Sequence, residues 1–113
     1  MSRERLGWQD ALEWLVELAG APRVRLTVRR GQHEVVRTPW ASLDCLEVSD
    51  AEFATTIGGS VARVSADMFR YAIGESREHG MFRSLVCTLG ETVLAIEVTW
   101  WSAYADEHSV GRG

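Results

Sequence analysis

The sequence contains no lysine and no asparagine, so all twelve of its basic residues are arginines. Both missing residues use A-rich codons, and we therefore attribute their absence to a GC-rich genome. Sixteen acidic residues outnumber the arginines and give the chain a net charge of −4. Because nucleic-acid phosphates require a basic protein face, this charge balance makes nucleic acid an unfavoured partner.

The chain also lacks an apolar run of the roughly 20 residues that a membrane-spanning helix requires. Its N-terminus, Met-Ser-Arg-Glu-Arg, has neither the apolar core nor the cleavage site of a secretory signal. We therefore expect a cytoplasmic protein with no membrane partner. The length of 113 residues fits a single domain over 1–113, with a frayed segment over 1–6 and a loosely held tail over 103–113.

Motifs that carry chemistry are missing as well. The chain has no GxGxxG, Walker, HExxH, CxxC or GxSxG pattern. The histidines, His33, His79 and His108, have no partner at metal-ligand spacing. Cys45 and Cys87 both lie in apolar alternation, which predicts two buried, reduced thiols. The sequence thus indicates no catalytic residue, metal or cofactor, and it favours a protein that is not an enzyme.

Three segments carry helical signals. Ser65 suits an N-cap position, and the apolar residues after it recur at spacings of three and four, which predicts a helix that ends at Gly80. The same spacing predicts a first helix over 8–19. Ser49 and the glutamate three residues later match a capping box, which predicts a short helix over 50–57.

Alternation of apolar and polar residues predicts the strands. We expect strands over 23–30, 33–38, 43–48, 61–64, 82–89 and 92–101. The Gly-first turn Gly90-Glu91 joins the last two strands and places Cys87 opposite Leu94 on an apolar face. Glu97 then lies on the opposite, mixed face of this hairpin.

Together these elements predict an α+β fold. An antiparallel sheet of four to six strands is expected to pack against two main helices, in an order near α-β-β-β-α-β-β. At the level of topology, this order resembles small acidic secretion chaperones, and it also suits small inhibitor and immunity proteins. A shared topology does not by itself establish a shared function.

Five tryptophans are the most informative side chains for function. Trp100 continues the apolar face of the last strand, which directs Trp101 to the mixed face. An indole on an open sheet face marks an interaction site, unless another part of the chain covers it. The first hypothesis is a non-catalytic protein-binding module, an adaptor, chaperone or inhibitor, whose partner is another protein or a second copy in a homodimer. Its predicted contact surface comprises Trp14, Trp101 and an acidic helix stripe of Asp10, Glu13 and Glu17.

The second hypothesis is a small-molecule-binding protein or minor enzyme. It places a pocket between helix and sheet, lined by Trp40, Tyr71, Glu97 and Trp100. A covered Glu97 carboxyl would there act as a base or bind a cation, unless that face is open to water or a helical arginine pairs with it.

An arginine cluster could supply the anion-binding group of such a site. Arg23, Arg25 and Arg29 share one face of the strand over 23–30 in the predicted register, which sets Arg29 opposite Glu34. A solvated face with cross-strand ion pairs is the alternative. No aromatic residue interleaves with these arginines in the sequence, so the stacking platform of single-strand nucleic-acid binders is not expected.

Overall fold

The structure is a computed structural model that describes residues 2–77 and 81–100. Within these residues the chain forms nine strands and one helix. The helix, α1, spans Trp8–Leu18. The strands are β1 (Ser2–Leu6), β2 (Arg23–Arg30), β3 (His33–Arg37), β4 (Leu43–Val48), β5 (Glu52–Ile57), β6 (Ser60–Ser65), β7 (Tyr71–Arg77), β8 (Phe82–Leu89) and β9 (Thr92–Thr99).

The strands form two antiparallel sheets. The larger sheet has the order β1-β7-β8-β9-β2-β3, and the smaller one has the order β4-β5-β6. Both sheets and α1 contribute to one hydrophobic core, so α1 and the smaller sheet cover the same face of the larger sheet. The fully buried members of this core include Leu15, Leu18, Val24, Ile57, Val64, Ala72, Leu85, Cys87, Ile96 and Val98.

The prediction of an α+β fold with two main helices is therefore wrong, because the described residues contain one helix and are mostly strand. The predicted second helix is a turn after Ser65, whose carbonyl accepts from the amides of Met68 and Phe69, followed by the strand β7. β7 pairs with β1 on one side and β8 on the other. The resemblance to secretion chaperones depended on that second helix, and it no longer holds.

The segment over 71–77 forms a strand instead of a helix because its residues fit two spacings at once, one helical and one alternating. Within β7, Tyr71 and Ile73 alternate with the buried residues Ala72 and Gly74, which is a period of two. A mid-helix glycine is unfavourable by about 1 kcal/mol relative to alanine. Pairing on both sides of β7 therefore outweighs the local helical spacing. The end of the predicted helix, residues 78–80, lies outside the described residues.

The short helix predicted over 50–57 is also wrong. The hydroxyl of Ser49 does accept from the amides of Ala51 and Glu52, as a capping residue would, but it closes a turn between β4 and β5. β5 then pairs on both sides, with β4 and β6. Its most deeply buried residues, Phe53, Thr55 and Ile57, recur with period two, although Ala54 between them is buried as well, and this spacing favours a strand.

The segment over 1–6 was expected to be frayed, yet residues 2–6 form β1 at the edge of the larger sheet. Leu6 pairs with Ala72 of β7 and is buried in the core. The predicted tail over 103–113 lies outside the described residues.

Several other predictions are confirmed. The first helix, the strand β2 and the hairpin β8–β9 lie where the sequence placed them, to within two residues. Cys87 is opposite Leu94 as expected. Arg29 is opposite Glu34, but a bulge shifts the rest of that register, so Val28 pairs with Val36.

Candidate functional site

The face of the larger sheet opposite α1, here called the outer face, carries interleaved charges of both signs. Strands β2, β3, β7, β8 and β9 all contribute to it. Its residues are Arg25, Thr27, Arg29, Glu34, Arg37, Glu75, Arg77, Ser84, Val86, Val93, Ala95 and Glu97. Four arginines and three glutamates thus share one surface.

At the centre of the outer face, Arg25 and Glu97 form an ion pair between neighbouring strands. Arg25 Nε donates to Glu97 Oε1 at 3.1 Å, and Arg25 Nη2 lies 3.0 Å from the same oxygen. The two side chains are 11% and 23% exposed. The guanidinium also lies 4.5 Å from the centroid of the Trp40 ring. The Glu97 carboxylate is therefore held by an arginine of the sheet, which is the arrangement of a structural ion pair.

The other charges of the outer face are largely paired too. Arg37 lies 3.7 Å from Glu34, and Arg77 lies 3.2 Å from Glu75. Arg29 is exposed and has no ion-pair partner among residues 2–77 and 81–100.

The structure divides the predicted arginine cluster. Arg25 is paired with Glu97, Arg29 lies exposed further along β2, and Arg23 lies at the start of that strand opposite Thr99. No aromatic residue interleaves with this cluster along β2, but aromatic rings from other parts of the chain pack on arginines of the outer face. Arg25 packs over Trp40, and Arg77 lies 4.1 Å from the centroid of the Phe82 ring.

The four residues of the predicted pocket are not brought together. Trp40 and Glu97 both contact Arg25 on the outer face. The Tyr71 ring lies at the other end of β7, with Arg5 at 4.2 Å from its centroid. Trp100 packs against the hydrophobic core, as its alternation predicted.

Trp14 makes its contacts within the chain. Its Nε1 donates to Glu4 Oε1 at 3.1 Å, and the Arg83 guanidinium lies 4.4 Å from its ring centroid. The ring also packs so closely on Gly74 that a Cβ there would lie 2.8 Å from it. Trp14 thus anchors α1 on the larger sheet. Trp101 lies outside the described residues.

A second surface, here called the α1–β4 groove, runs between the helix and the smaller sheet. Its valines, Val16 and Val48, are 57% and 41% exposed. The groove is lined by Gln9, Leu12, Glu13, Val16, Glu17, Val48, Ser49 and Asp50.

Trp8 fixes the position of the two walls of this groove. Its Nε1 donates to the Asp50 carbonyl at 2.9 Å, and its ring stacks on Phe53 with centroids 6.0 Å apart. The first turn of α1 is thereby attached to the β4–β5 turn. Val16 and Val48 are exposed beside this attachment, whereas Leu12 between them and the core is buried.

Charge in the α1–β4 groove is of one sign. Glu17 pairs with Arg83 at 3.1 Å. Within the described part of the chain, Glu13 and Asp50 have no ion-pair partner, and no basic residue lines the groove. The groove is therefore an exposed apolar strip with an acidic rim.

Two members of the predicted acidic stripe, Glu13 and Glu17, belong to the groove, whereas Asp10 is exposed outside its lining. The sequence reasoning missed Val16, Val48 and Asp50. Val16 could have been noticed as an apolar residue beside the acidic stripe. Val48 and Asp50 carry no such signal, because their position beside α1 depends on how the smaller sheet packs.

The two cysteines differ in environment. Burial raises the pKa of the Cys87 thiol from 9.0 to about 12, so this thiol stays protonated and unreactive at neutral pH. Cys45 is exposed on β4, and the expectation that both thiols are buried is wrong for it. Cys45 points away from the core because it pairs beyond an irregularity between Leu43 and Cys45.

Fold and surfaces together define a small, two-sheet antiparallel β protein with one helix in its described residues. Comparisons with protein-family models, curated proteins and solved structures found no match. No helix within residues 2–77 and 81–100 is long and apolar enough to cross a membrane. The same residues contain no cluster of three or more histidine, cysteine or carboxylate side chains that could hold a metal ion.

Proposed function

We propose that this chain is a non-catalytic protein-binding module that acts through the α1–β4 groove. The observation that carries the proposal is the exposure of Val16 and Val48 in one groove. Single exposed apolar residues are ordinary on protein surfaces, but neighbouring ones rimmed by polar groups mark interaction sites. The partner is expected to be another protein.

The shape and charge of the groove support a macromolecular partner. Small-molecule sites enclose most of their ligand and aim a few polar groups at it. The α1–β4 groove instead lies open, and its acidic groups, Glu13 and Asp50, are on the rim. We do not propose a homodimer through this groove, since two copies would bring like charges together. A contribution from Trp101 stays a prediction.

Affinity capture with matched variants tests the proposal. Immobilised wild-type chain is compared with Val16→Arg and Val48→Arg, and Val61→Arg is the control. Val61 is 67% exposed on β6 and does not line the groove, so it reports the effect of an added surface arginine. All four proteins are first compared by circular dichroism and thermal unfolding.

We expect a saturable partner that wild type and the Val61 variant retain equally. Each groove variant should weaken its binding by about 2 kcal/mol, since central contact residues carry energies of that size. Equal retention by all four proteins would place the binding surface elsewhere. Capture of no saturable partner by wild type would contradict a binding role.

A further inference from the structure

We propose that the groove receives an extended, basic segment of another protein, which adds as a further strand to the open edge of β4. This inference rests on the proposed function, and it specifies the mode of binding and the chemistry of the partner. β4 ends the order of the smaller sheet, and no strand among residues 2–77 and 81–100 pairs with its other side. Strand addition to such edges is a common way to bind a peptide.

The hydrogen-bond pattern shows which backbone groups of β4 are directed to the open side. Ser49 N donates to the Glu52 carbonyl at 2.9 Å, so this pair is hydrogen-bonded across the turn. Antiparallel strands alternate between bonded and non-bonded pairs. It follows that Glu47 bonds toward β5, whereas the amides and carbonyls of Leu46 and Val48 are directed to the open edge.

The side chains beside this edge extend the apolar face of the sheet. Val48 pairs with Phe53, which is buried in the core, and its side chain lies in the groove next to α1. Alternate residues of an added strand would continue this face toward Val16. The remaining residues of the added strand would point to the opposite face of the smaller sheet, next to Glu47. A partner strand that alternates apolar and basic residues fits both faces.

Charge decides between this partner and a second copy of the chain. Asp44 and Glu47 on β4 are exposed, and neither they nor Glu13 and Asp50 have an ion-pair partner among the described residues. Pairing β4 with β4 of another copy would place acidic side chains near one another, which is unfavourable. Arginine or lysine on the added strand would instead pair with them.

The edges of the larger sheet are less suited to addition. The pairing of β3 with β2 shifts register between Val28 and Arg29 of β2. Such a bulge makes an edge strand less able to pair with another chain. β1 presents exposed charges of both signs, including Arg3 and Glu4. β4 has an irregularity too, between Leu43 and Cys45, so the regular part available for pairing is residues 45–48.

The test uses a defined probe, a blocked peptide of about eight residues that alternates arginine and valine. Its affinity is measured by calorimetry for wild type, Val48→Ala and Val48→Pro. Proline removes the amide directed to the open edge, and edge strands tolerate it at such positions. Alanine shortens the side chain and keeps the amide. Hydrogen exchange of the Leu46 and Val48 amides is followed with and without peptide.

We expect saturable binding to wild type and slower exchange of both amides in the complex. Val48→Pro should bind about fivefold to tenfold more weakly than Val48→Ala, the loss expected for one backbone hydrogen bond. Val16→Arg should abolish binding, and Val61→Arg should not. A peptide with glutamate in place of arginine should not bind.

The other outcomes separate the two proposals. If peptide binding depends on Val16 but the peptide has equal affinity for Val48→Ala and Val48→Pro, the groove is a binding site but strand addition is wrong. If the glutamate peptide binds as well as the arginine peptide, the basic partner is wrong. If the arginine peptide does not bind while captured partners still depend on Val16, the extended basic segment is wrong and the binding module stands.

Discussion

The outer face and the α1–β4 groove differ in the charges they carry: arginines and glutamates both line the outer face, whereas only acidic charges line the groove. On the outer face, Arg25 pairs with Glu97, and exposed pairs surround them. In the groove, Glu13 and Asp50 lie beside exposed valines with no basic residue in the lining. Most charges of the first surface are paired within the chain, with Arg29 the exception, whereas in the second only Glu17 has an ion-pair partner among the described residues.

This difference teaches where to look for binding in a small β protein. A carboxylate in the middle of a sheet, such as Glu97, attracts functional interpretation, yet here its charge is neutralised by Arg25 across one strand pair. The acids of the groove rim are only partly visible in the sequence, where Glu13 belongs to the acidic helix stripe but Asp50 carries no signal. Combined with the exposed Val16, they form a surface whose charges and apolar area both lack cover within the described residues.

The largest effect should come from breaking the central ion pair of the outer face. Glu97→Leu leaves the Arg25 guanidinium, 11% exposed, without its carboxylate. We expect a loss of about 2–4 kcal/mol in the free energy of unfolding, less than for a fully buried pair because water reaches both side chains. Urea denaturation measures it.

The matched control is Glu34→Leu, which removes the exposed partner of Arg37 and should cost less than about 1 kcal/mol. The double variant Arg25→Leu with Glu97→Leu should recover part of the loss. Equal effects of the two single variants would show that burial does not distinguish these ion pairs.

A somewhat smaller effect is expected where α1, one wall of the groove, is anchored. Gly74→Ala places a Cβ 2.8 Å from the Trp14 ring. The overpacking should destabilise the chain by about 1–3 kcal/mol and lower its melting temperature. Gly20→Ala is the control, because its Cβ would meet only a carbonyl at 3.7 Å. An unchanged melting temperature for Gly74→Ala would contradict the close packing of Trp14.

The Cys87 thiol, buried in the core beneath both surfaces, should make the free energy of unfolding depend on pH. Below pH 9 the Cys87 thiol is protonated in both the folded and the unfolded chain, so its contribution to stability is constant. Between its unfolded pKa of 9.0 and its folded pKa of about 12, only the unfolded chain releases the proton. Stability should therefore fall with rising pH, by up to about 1.4 kcal/mol per pH unit from this group.

Urea denaturation from pH 8 to pH 11 measures this slope. Cys87→Ala should have a shallower slope, while Cys45→Ala, which alters an exposed thiol, should keep it. If the stability of Cys87→Ala fell with pH as steeply as that of wild type, burial would not raise this pKa.

The smallest effects on stability should come from the groove rim. Glu13→Gln and Asp50→Asn remove acids that have no ion-pair partner in the described residues, so unfolding should change by no more than about 0.5 kcal/mol. Thermal unfolding measures this. Destabilisation of either variant by more than about 1 kcal/mol would mean that the rim charges stabilise the fold.

The sequence correctly predicted those elements whose apolar residues follow a single spacing, either helical or alternating. In the hairpin β8–β9, alternation and the turn at Gly90 agreed, and Gly90 has a φ of 78° that glycine adopts readily. The register followed, including Cys87 opposite Leu94. Trp100 could be assigned to the core side for the same reason.

The sequence predictions failed where one segment fits both a helical and an alternating spacing, or where a residue's neighbours are distant in the sequence. The segment after Ser65 fits both a helix and a strand, and its pairing with β1 and β8 decides between them. The groove could be predicted only in part, since Glu13 and Glu17 follow from the helical spacing. Val48 joins them through the packing of the smaller sheet on Trp8, which no local pattern encodes.

The most direct test compares the two surfaces in one experiment. Amide chemical shifts of the isotope-labelled chain are recorded while the arginine–valine peptide is added. We expect the shift changes to concentrate at residues 12–17 and 46–50, with the outer-face residues Arg25 and Glu97 unaffected. Changes centred on the outer face, with none at Val16 or Val48, would contradict the assignment of binding to the α1–β4 groove.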